Sequence, residues 1–227
     1  MNKIEGYDLE GARRYMEAQE RFYARRPDES RIAIGHLLGD IRGKVMLDAG
    51  CGYGKDVAHY SSRGAKVWGS DASAAMIALA QENYPEIANI FWQETFDNIR
   101  LPDQSVDIIT SRYALQHQER IDDAYREFHR VLKQGGEMVI LVPHPIQQLF
   151  AKEDKRYHTK EEITVKIYDE LSVVHDFTHT VEEYLSAFML EHFELLHFSE
   201  QEAASGTHEH EYEGLPDWML MKWRKRE

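Results

Sequence analysis

Lys44–Gly54 reads KVMLDAGCGYG, and this stretch decides the fold. A short apolar run, Val45, Met46 and Leu47, ends in a carboxylate, Asp48. Glycines follow at alternate positions, Gly50, Gly52 and Gly54. Without a Cβ the backbone turns sharply and a ligand can lie almost against the main chain. A helical pattern starts directly afterwards, around Lys55 to Ser62. Strand, Gly-rich turn and helix N-terminus is how an open α/β sheet makes a nucleotide pocket at the carboxyl ends of its strands. The spacing is GxGxG, not the GxGxxG that sets a pyrophosphate on a helix dipole. Asp48, just before the loop, would repel a phosphate and welcome a ligand carrying an ammonium and a sulfonium.

A chain of 227 residues is expected to form one domain with a full core. Its 42% hydrophobic and 30% charged residues are those of a soluble globular protein. The start lacks an apolar stretch of signal-peptide length, and no run approaches ~18 apolar residues, so a cytoplasmic location and no membrane contact are expected. One cysteine, Cys51, excludes an internal disulfide and a cysteine zinc cluster. Inside the glycine loop a small side chain is wanted, so Cys51 reads as packing and not as a nucleophile. The net charge of −13 argues against nucleic acid, whose binding rests on clustered Lys and Arg. The one dense basic run, Lys222 to Arg226, reads as a solvated tail. The acidic balance favours neutral or cationic small molecules. Monomer and homodimer stay open.

Leu9 to about Ala24 is helix-like, Pro27 and Asp28 punctuate it, and Ser30 to Leu38 reads as a second helix. Ala65 to Ser70 is a second strand ending in Asp71, near the ~20-residue offset at which an acid reaches an adenosine ribose. A carboxylate there accepts hydrogen bonds from both ribose hydroxyls. Further strands are expected at Asn89–Gln93, Ser105–Ser111, Glu137–Val142, Phe193–Ser199 and Pro216–Trp223. Between them lie an insertion from Ile146 to about His175, read as partly helical and carrying Phe150, Tyr157, His158 and Tyr168, a helix at Thr180–Leu190 with Thr180 as its N-cap, and a polar loop at Gln201–Gly214.

DAGCGYG resembles motif I, [DE]xGxGxG, of the class I S-adenosylmethionine (SAM)-dependent methyltransferases of the small-molecule "type 11" kind. The string RYALQHQERIDDAYREFHRVLKQGGEMVILVP from Arg112 is similar to that family's "alhh…al.E..RVLKPGG.l.i" block. The resemblance implies an α/β, Rossmann-like sheet of seven strands, the last antiparallel, with helices on both faces and a helical lid. It implies SAM as cofactor and S-adenosylhomocysteine as product. It divides the single domain into an N-terminal helical cap (1–40), a SAM-binding core (44–142), a substrate-covering lid (144–180) and C-terminal strands (181–227). Asp48, Gly50, Cys51 and Gly52 would hold the cofactor, with Asp71 on the ribose. Ala72 and Met76 would lie by the adenine, Met76 being equally a core residue, and Ser111 would sit at the carboxyl end of strand four. Glu94-Thr95-Phe96-Asp97 followed by Leu101-Pro102 is similar to the family's GD(A/F)xxLPF segment, although the Gly-Asp pair is missing. Thr95 and Phe96 are assigned its adenine-binding roles, with Asp97 as the alternative acid. In the N-terminal helices, Tyr15 and Tyr23 either bring rings toward the sulfonium or substrate, where a cation–π contact suits the charge, or simply pack on the sheet.

Methyl transfer is an in-line displacement that needs close approach, exclusion of water and, for some acceptors, removal of a proton. Candidate bases are His117 and His144, with His179 behind them; Pro143 and Pro145 fix the backbone so as to aim His144 over the crevice. Arg112 would steer a carboxylate or form a surface salt bridge, with Tyr113 beside it as a substrate contact. Asp107 reads as a structural acid, and Glu127 and Arg130 as structural contacts. His208 and His210 are too few for a zinc site, which needs three or four convergent ligands, so no metal is expected. The expected function is transfer of a methyl group to nitrogen or oxygen of a small molecule, with carbon as a further option. The rivals are a non-catalytic SAM- or nucleotide-binding regulatory module and a methyltransferase acting on protein or tRNA, although no (N/D)PP(Y/F) signature appears.

Overall fold

The computed structural model describes residues 8–169, 171–202 and 214–227. The glycine-loop strand, β1 (Val45–Ala49), is buried from Met46 onward, as a central parallel strand must be. β2 (Lys66–Asp71) and β4 (Val106–Arg112) flank it, both parallel. β3 (Phe91–Gln93) extends the sheet beyond β2, and β5 (Leu132–Pro143) beyond β4. Two strands of the C-terminal segment complete it: β8 (Phe193–Glu202) and β9 (Pro216–Lys225). β9 runs antiparallel between β5 and β8, giving the order β3-β2-β1-β4-β5-β9-β8. This is the seven-stranded sheet, last strand antiparallel, that the glycine motif led one to expect.

Successive strand residues face opposite sides. Met46 therefore enters a core with Ile34, Val57 and Leu220, under α2 (Glu29–Leu38) and α3 (Lys55–Ser62). Leu47 enters the other core with Phe128, Tyr184 and Trp223, under α5 (Ile121–Val131). α1 (Leu9–Tyr23) and α4 (Ala74–Asn83) pack together through Ala12, Met76 and Leu79. Asp8, Asp28 and Ser73 cap α1, α2 and α4 by accepting from backbone N–H groups in their first turns. Asp107 is the structural acid expected, accepting from Val45 N at 2.8 Å and from Lys133 Nζ at 2.7 Å. Glu127 and Arg130 join each other, and Arg130 also donates to the Ile99 and Leu101 carbonyls.

Several elements differ from expectation. β8 runs on to Glu202, and β9 runs on to Lys225, so most of the basic run read as a solvated tail is strand, with Lys225 buried and donating to the His129 and Leu132 carbonyls. β3 is shorter at its start because Pro85–Ile90 forms a 3-10 turn. β5 begins at Leu132, which pairs with Val106 before the Gly135–Gly136 irregularity. The helix at 180–190 is two: α7 (Val181–Tyr184), with the Thr180 capping box, and α8 (Ala187–His192), capped afresh by Ser186. The largest difference is in the insertion. After α6 (Pro145–Ala151) it forms a hairpin of β6 (Glu162–Ile167) and β7 (Ser172–Phe177), a sheet of its own. Ile163, Val165 and Ile167 alternate on β6, and β-branched residues at that period prefer a pleated surface to a helix. Among the described residues no helix is long and apolar enough to cross a membrane. The polar loop and its His208 and His210 lie largely outside the described residues, which contain no cluster fit for a metal.

Candidate active site

The three loop glycines answer three different neighbours. A Cβ on Gly50 would lie 2.2 Å from the Ala114 Cβ, and one on Gly54 2.8 Å from the Phe91 ring. Both positions let chain pack on chain. A Cβ on Gly52 would meet nothing within 4 Å, and its φ of +53° belongs to the left-handed region. Gly52 therefore turns a bare stretch of backbone toward open space. Gly50 N and Cys51 N both donate to the Ser70 carbonyl, which holds the loop to β2. Gly52 N donates to Asp71 Oδ2 and Ser73 N to Asp71 Oδ1, each at 2.9 Å. Asp71 thus stands fixed at the end of β2, and each carboxylate oxygen keeps lone-pair capacity for a further donor. Cys51 is buried, and burial raises its thiol pKa further, consistent with packing.

Asp48 is buried one strand over and accepts from Thr110 Oγ1 at 2.7 Å. Burial, then the neighbouring Asp56, pushes its carboxyl up to about 7. For Asp56 burial acts in the same direction, but Arg112 and Arg31 outweigh it and hold that carboxyl low. Arg112 donates through Nε to Asp56 at 3.0 Å and through Nη1 to Ser30 at 3.1 Å, with Asp28 at 3.4 Å. Arg31 donates to Asp56 through Nε and to Asp28 through Nη1 at 2.8 Å. This corrects the sequence expectation for Arg112. Its side chain is 11% exposed and locked between two carboxylates, so it is neither a surface salt bridge nor a free anion hook. Tyr113 has a φ of +51° and packs beside the α2 core.

Tyr15 and Tyr23 gather around a residue from the insertion. Tyr168, at the hairpin tip with a φ of +56°, has its hydroxyl 3.1 Å from that of Tyr15 and accepts from Gln19 Nε2 at 2.5 Å. Its ring meets those of Tyr15, Phe22 and Tyr23 at centroid distances of 5.5, 5.6 and 6.2 Å. Tyr53, from the glycine loop itself, donates to Gln19 and Glu20 of α1. Met76 is turned into the α1–α4 contact, so it is core and not an adenine wall.

At the other end a cavity of ≈ 280 Å³ is lined by Ala72, Gln93, Glu94, Thr95, Asn98 and Arg100. Ala72 and Thr95, both assigned to the adenine side, are in its lining. The Phe96 side chain is buried against Phe128 and Gly50, so its backbone N–H, the group assigned to the adenine ring nitrogen, is the part left to face a ligand. Asp97 is exposed and outside the lining. The acid that is present is Glu94, which the sequence reading left without a role. Its Oε2 takes Arg100 Nε at 2.8 Å, while its Oε1 is buried with no partner among the described residues.

The two histidine candidates part company. His144 is the N-cap of α6: Nδ1 accepts from Ile146 N at 3.1 Å, and Nε2 lies 2.7 Å from Glu200 Oε1. It is 2% exposed with both ring nitrogens engaged, so it is a structural cap and not a base. His179 is buried with Nε2 on the Gln118 carbonyl, also structural. His117 closes the 3-10 turn Leu115–His117 after β4 and is 28% exposed.

The residues fit the cofactor that the glycine motif implies. Bare backbone at Gly52 faces open space beside Asp71. Among the buried polar atoms that lack a hydrogen-bond partner among the described residues, three come from elements around this crevice: Arg31 Nη2, a donor suited to a carboxylate; Glu94 Oε1, an acceptor suited to an adenine amino group; and Ser111 Oγ. Comparison with known proteins agrees. Residues 47–140 match the family described as a methyltransferase domain. A demethylmenaquinone methyltransferase of Tropheryma whipplei is 33% identical over 110 residues, 48% of this chain and 46% of the relative. A malonyl-[acyl-carrier protein] O-methyltransferase of Yersinia pestis is 38% identical over 106 residues, 45% of this chain and 39% of the relative. The matched segments thus span less than half the length of either. An S-adenosylmethionine-dependent methyltransferase from Mesorhizobium loti superposes with a TM-score of 0.69 at 25% identity, over 85% of this chain and 96% of that one. With the strand order and the Asp48–Asp71 crevice already in place, these likenesses identify residues 47–140 as a methyltransferase domain on the class I SAM-dependent methyltransferase fold.

Proposed function

We propose that the chain transfers a methyl group from SAM to a small-molecule acceptor bound between the strand ends and a cover made by α1, α2, α6 and the β6–β7 hairpin. Bound SAM supplies a methyl carbon activated by its sulfonium. Gly52 and Asp71 hold the ribose side, Thr95 and Glu94 face the adenine, and Asp48 with Arg31 faces the amino-acid end. α1 and the Tyr168 tip keep water from the reacting atoms. The observation that carries this reading is Gly52, whose Cβ position is open while its N–H is tied to Asp71. The names of the two relatives give demethylmenaquinone and malonyl-[acyl-carrier protein] as their acceptors, which supports a small molecule or small acyl group here. The net charge of −13 speaks against a nucleic-acid acceptor.

Calorimetric titration with SAM, S-adenosylhomocysteine and NAD tests the cofactor. Micromolar binding of the first two and none of NAD is expected. Binding of none would remove the reading. Binding of SAM with no transfer of labelled methyl groups to any acceptor would favour a regulatory SAM-binding module.

A further inference from the structure

His117 sits where the cofactor edge and the insertion meet. The residue before its turn, Ala114, is the one against which Gly50 packs, so the turn lies over the glycine loop. The His117 Nδ1 donates to the His175 carbonyl oxygen at 2.9 Å and lies 2.9 Å from Asp176 Oδ1, a buried oxygen that has no hydrogen bond of its own among the described residues and meets the ring as an ion-pair contact. A ring nitrogen facing two acceptors carries the hydrogen, which leaves Nε2 with its lone pair. Among the described residues Nε2 has no partner. Both acceptors belong to β7, the second strand of the hairpin. Asp176 is 2% exposed, and among the described residues His117 is its one ionic partner. A buried carboxylate is costly unless paired, so this contact is built into the seating of the hairpin.

We infer that Asp176 is a positioning residue that fixes His117 with Nε2 as general base, and that the acceptor is one that must lose a proton to react, a hydroxyl or an acidic carbon. The inference rests on the methyl-transfer reading above. An amine attacks with its neutral lone pair and needs no such base; an alcohol, phenol or activated C–H does. The acceptor's proton passes to Nε2 and its electron pair forms the bond to the methyl carbon. The carbon–sulfur bond breaks with its pair kept on sulfur, and the imidazolium then returns the proton to water. Burial disfavours charge on the ring, yet Asp176, the His175 carbonyl and the more distant Asp71 outweigh it and hold His117 above the ordinary histidine range. The charged groups facing the ring are thus Asp176 of β7 and Asp71 of β2.

Two measurements on the full chain test this. The first is NMR of the histidine-labelled protein saturated with S-adenosylhomocysteine. His117 should show the Nδ1–H tautomer, and Asp176→Asn should lower its pKa; an Nε2–H tautomer would overturn the inference. The second uses labelled SAM with a deproteinised cell extract as the source of acceptors. The labelled product should carry its methyl on oxygen or carbon. Asp176→Asn should lower kcat tenfold or more and move the acid limb of the pH profile to lower pH. His117→Ala should lose about 10²–10⁴-fold, both with SAM affinity unchanged. An N-methyl product, or an Asp176→Asn profile that superposes on wild type, would overturn the base. Absent SAM binding, or SAM binding without any labelled product, would instead remove the methyl-transfer reading and the base with it.

Discussion

Two pieces of the cover are held down by different chemistry. Helix α2 is fastened through Asp28 and Arg31, which share two buried carboxylates and two guanidiniums with Asp56 of α3 and Arg112 of β4. The hairpin is fastened at its tip by Tyr168, through hydroxyl and amide contacts to Tyr15 and Gln19 and an Arg26–Asp169 pair at 3.3 Å. Removing one partner of a buried ion network strands a charge and costs about 3–5 kcal/mol. A neutral hydrogen bond is worth about 0.5–1.5 kcal/mol net. The difference teaches which part moves. α2 is part of the floor, and the hairpin tip around Tyr168, beyond the buried Asp176–His117 contact, is the part that can lift to admit ligands.

The largest effect is expected where the comparison is most one-sided. Arg112→Ala should destabilise the fold by about 3–5 kcal/mol in urea unfolding, because Asp56 and Asp28 lose a buried partner. A loss under about 1 kcal/mol would make the network no stronger than the hairpin latch. Asp71→Ala belongs to neither fastening. It should weaken SAM binding by about 1–3 kcal/mol in calorimetry through loss of charge-assisted ribose contacts. Unchanged affinity would remove Asp71 from the cofactor.

Tyr168→Phe removes one hydroxyl and keeps the ring. Global stability should fall by about 0.5–1.5 kcal/mol, while amide exchange in 162–177 accelerates by more than in α2. Equal acceleration in both would mean that hairpin and helix lift together. The remaining effect is in pH. Asp48 has a folded pKa raised to about 7, so the folded chain holds a proton that the unfolded chain has already released above the ordinary carboxylate range. Stability contributed there is full at low pH and is lost as pH rises toward 7. Asp48→Asn should therefore raise the melting temperature at pH 8 by about 2–4 °C per kcal/mol recovered and leave it little changed at pH 4. A larger gain at pH 4 would reverse the assignment.

How far the sequence foretold this depends on how local each signal is. The glycine loop, β1, β2, β4 and Asp71 were legible because each is written in consecutive residues: an apolar run, alternate glycines, an acid at a strand end. The insertion is partly helical, as its composition indicates, but only in α6; the β6–β7 hairpin went unread because its Glu and Lys mask the alternation of Ile163, Val165 and Ile167. His144 was misread because the flanking prolines announce a helix start as readily as an exposed ring. The Arg31–Asp56–Arg112–Asp28 network and the His117–Asp176 contact could not be read at all. Each joins residues from distant elements, and no spacing along the chain encodes that meeting.

One consequence of the topology concerns history more than chemistry. The insertion hangs in the connection between the end of β5 at Pro143 and the start of β8 at Phe193. Closing a flexible connection costs only about 0.6 kcal/mol more for each doubling of its length. The sheet is completed by β9 pairing with β5 and β8 whatever that connection contains. Segments of other lengths and shapes can be spliced in at this one point with little penalty to the scaffold, so a lineage of such proteins can change what it modifies while its donor site stays as it was.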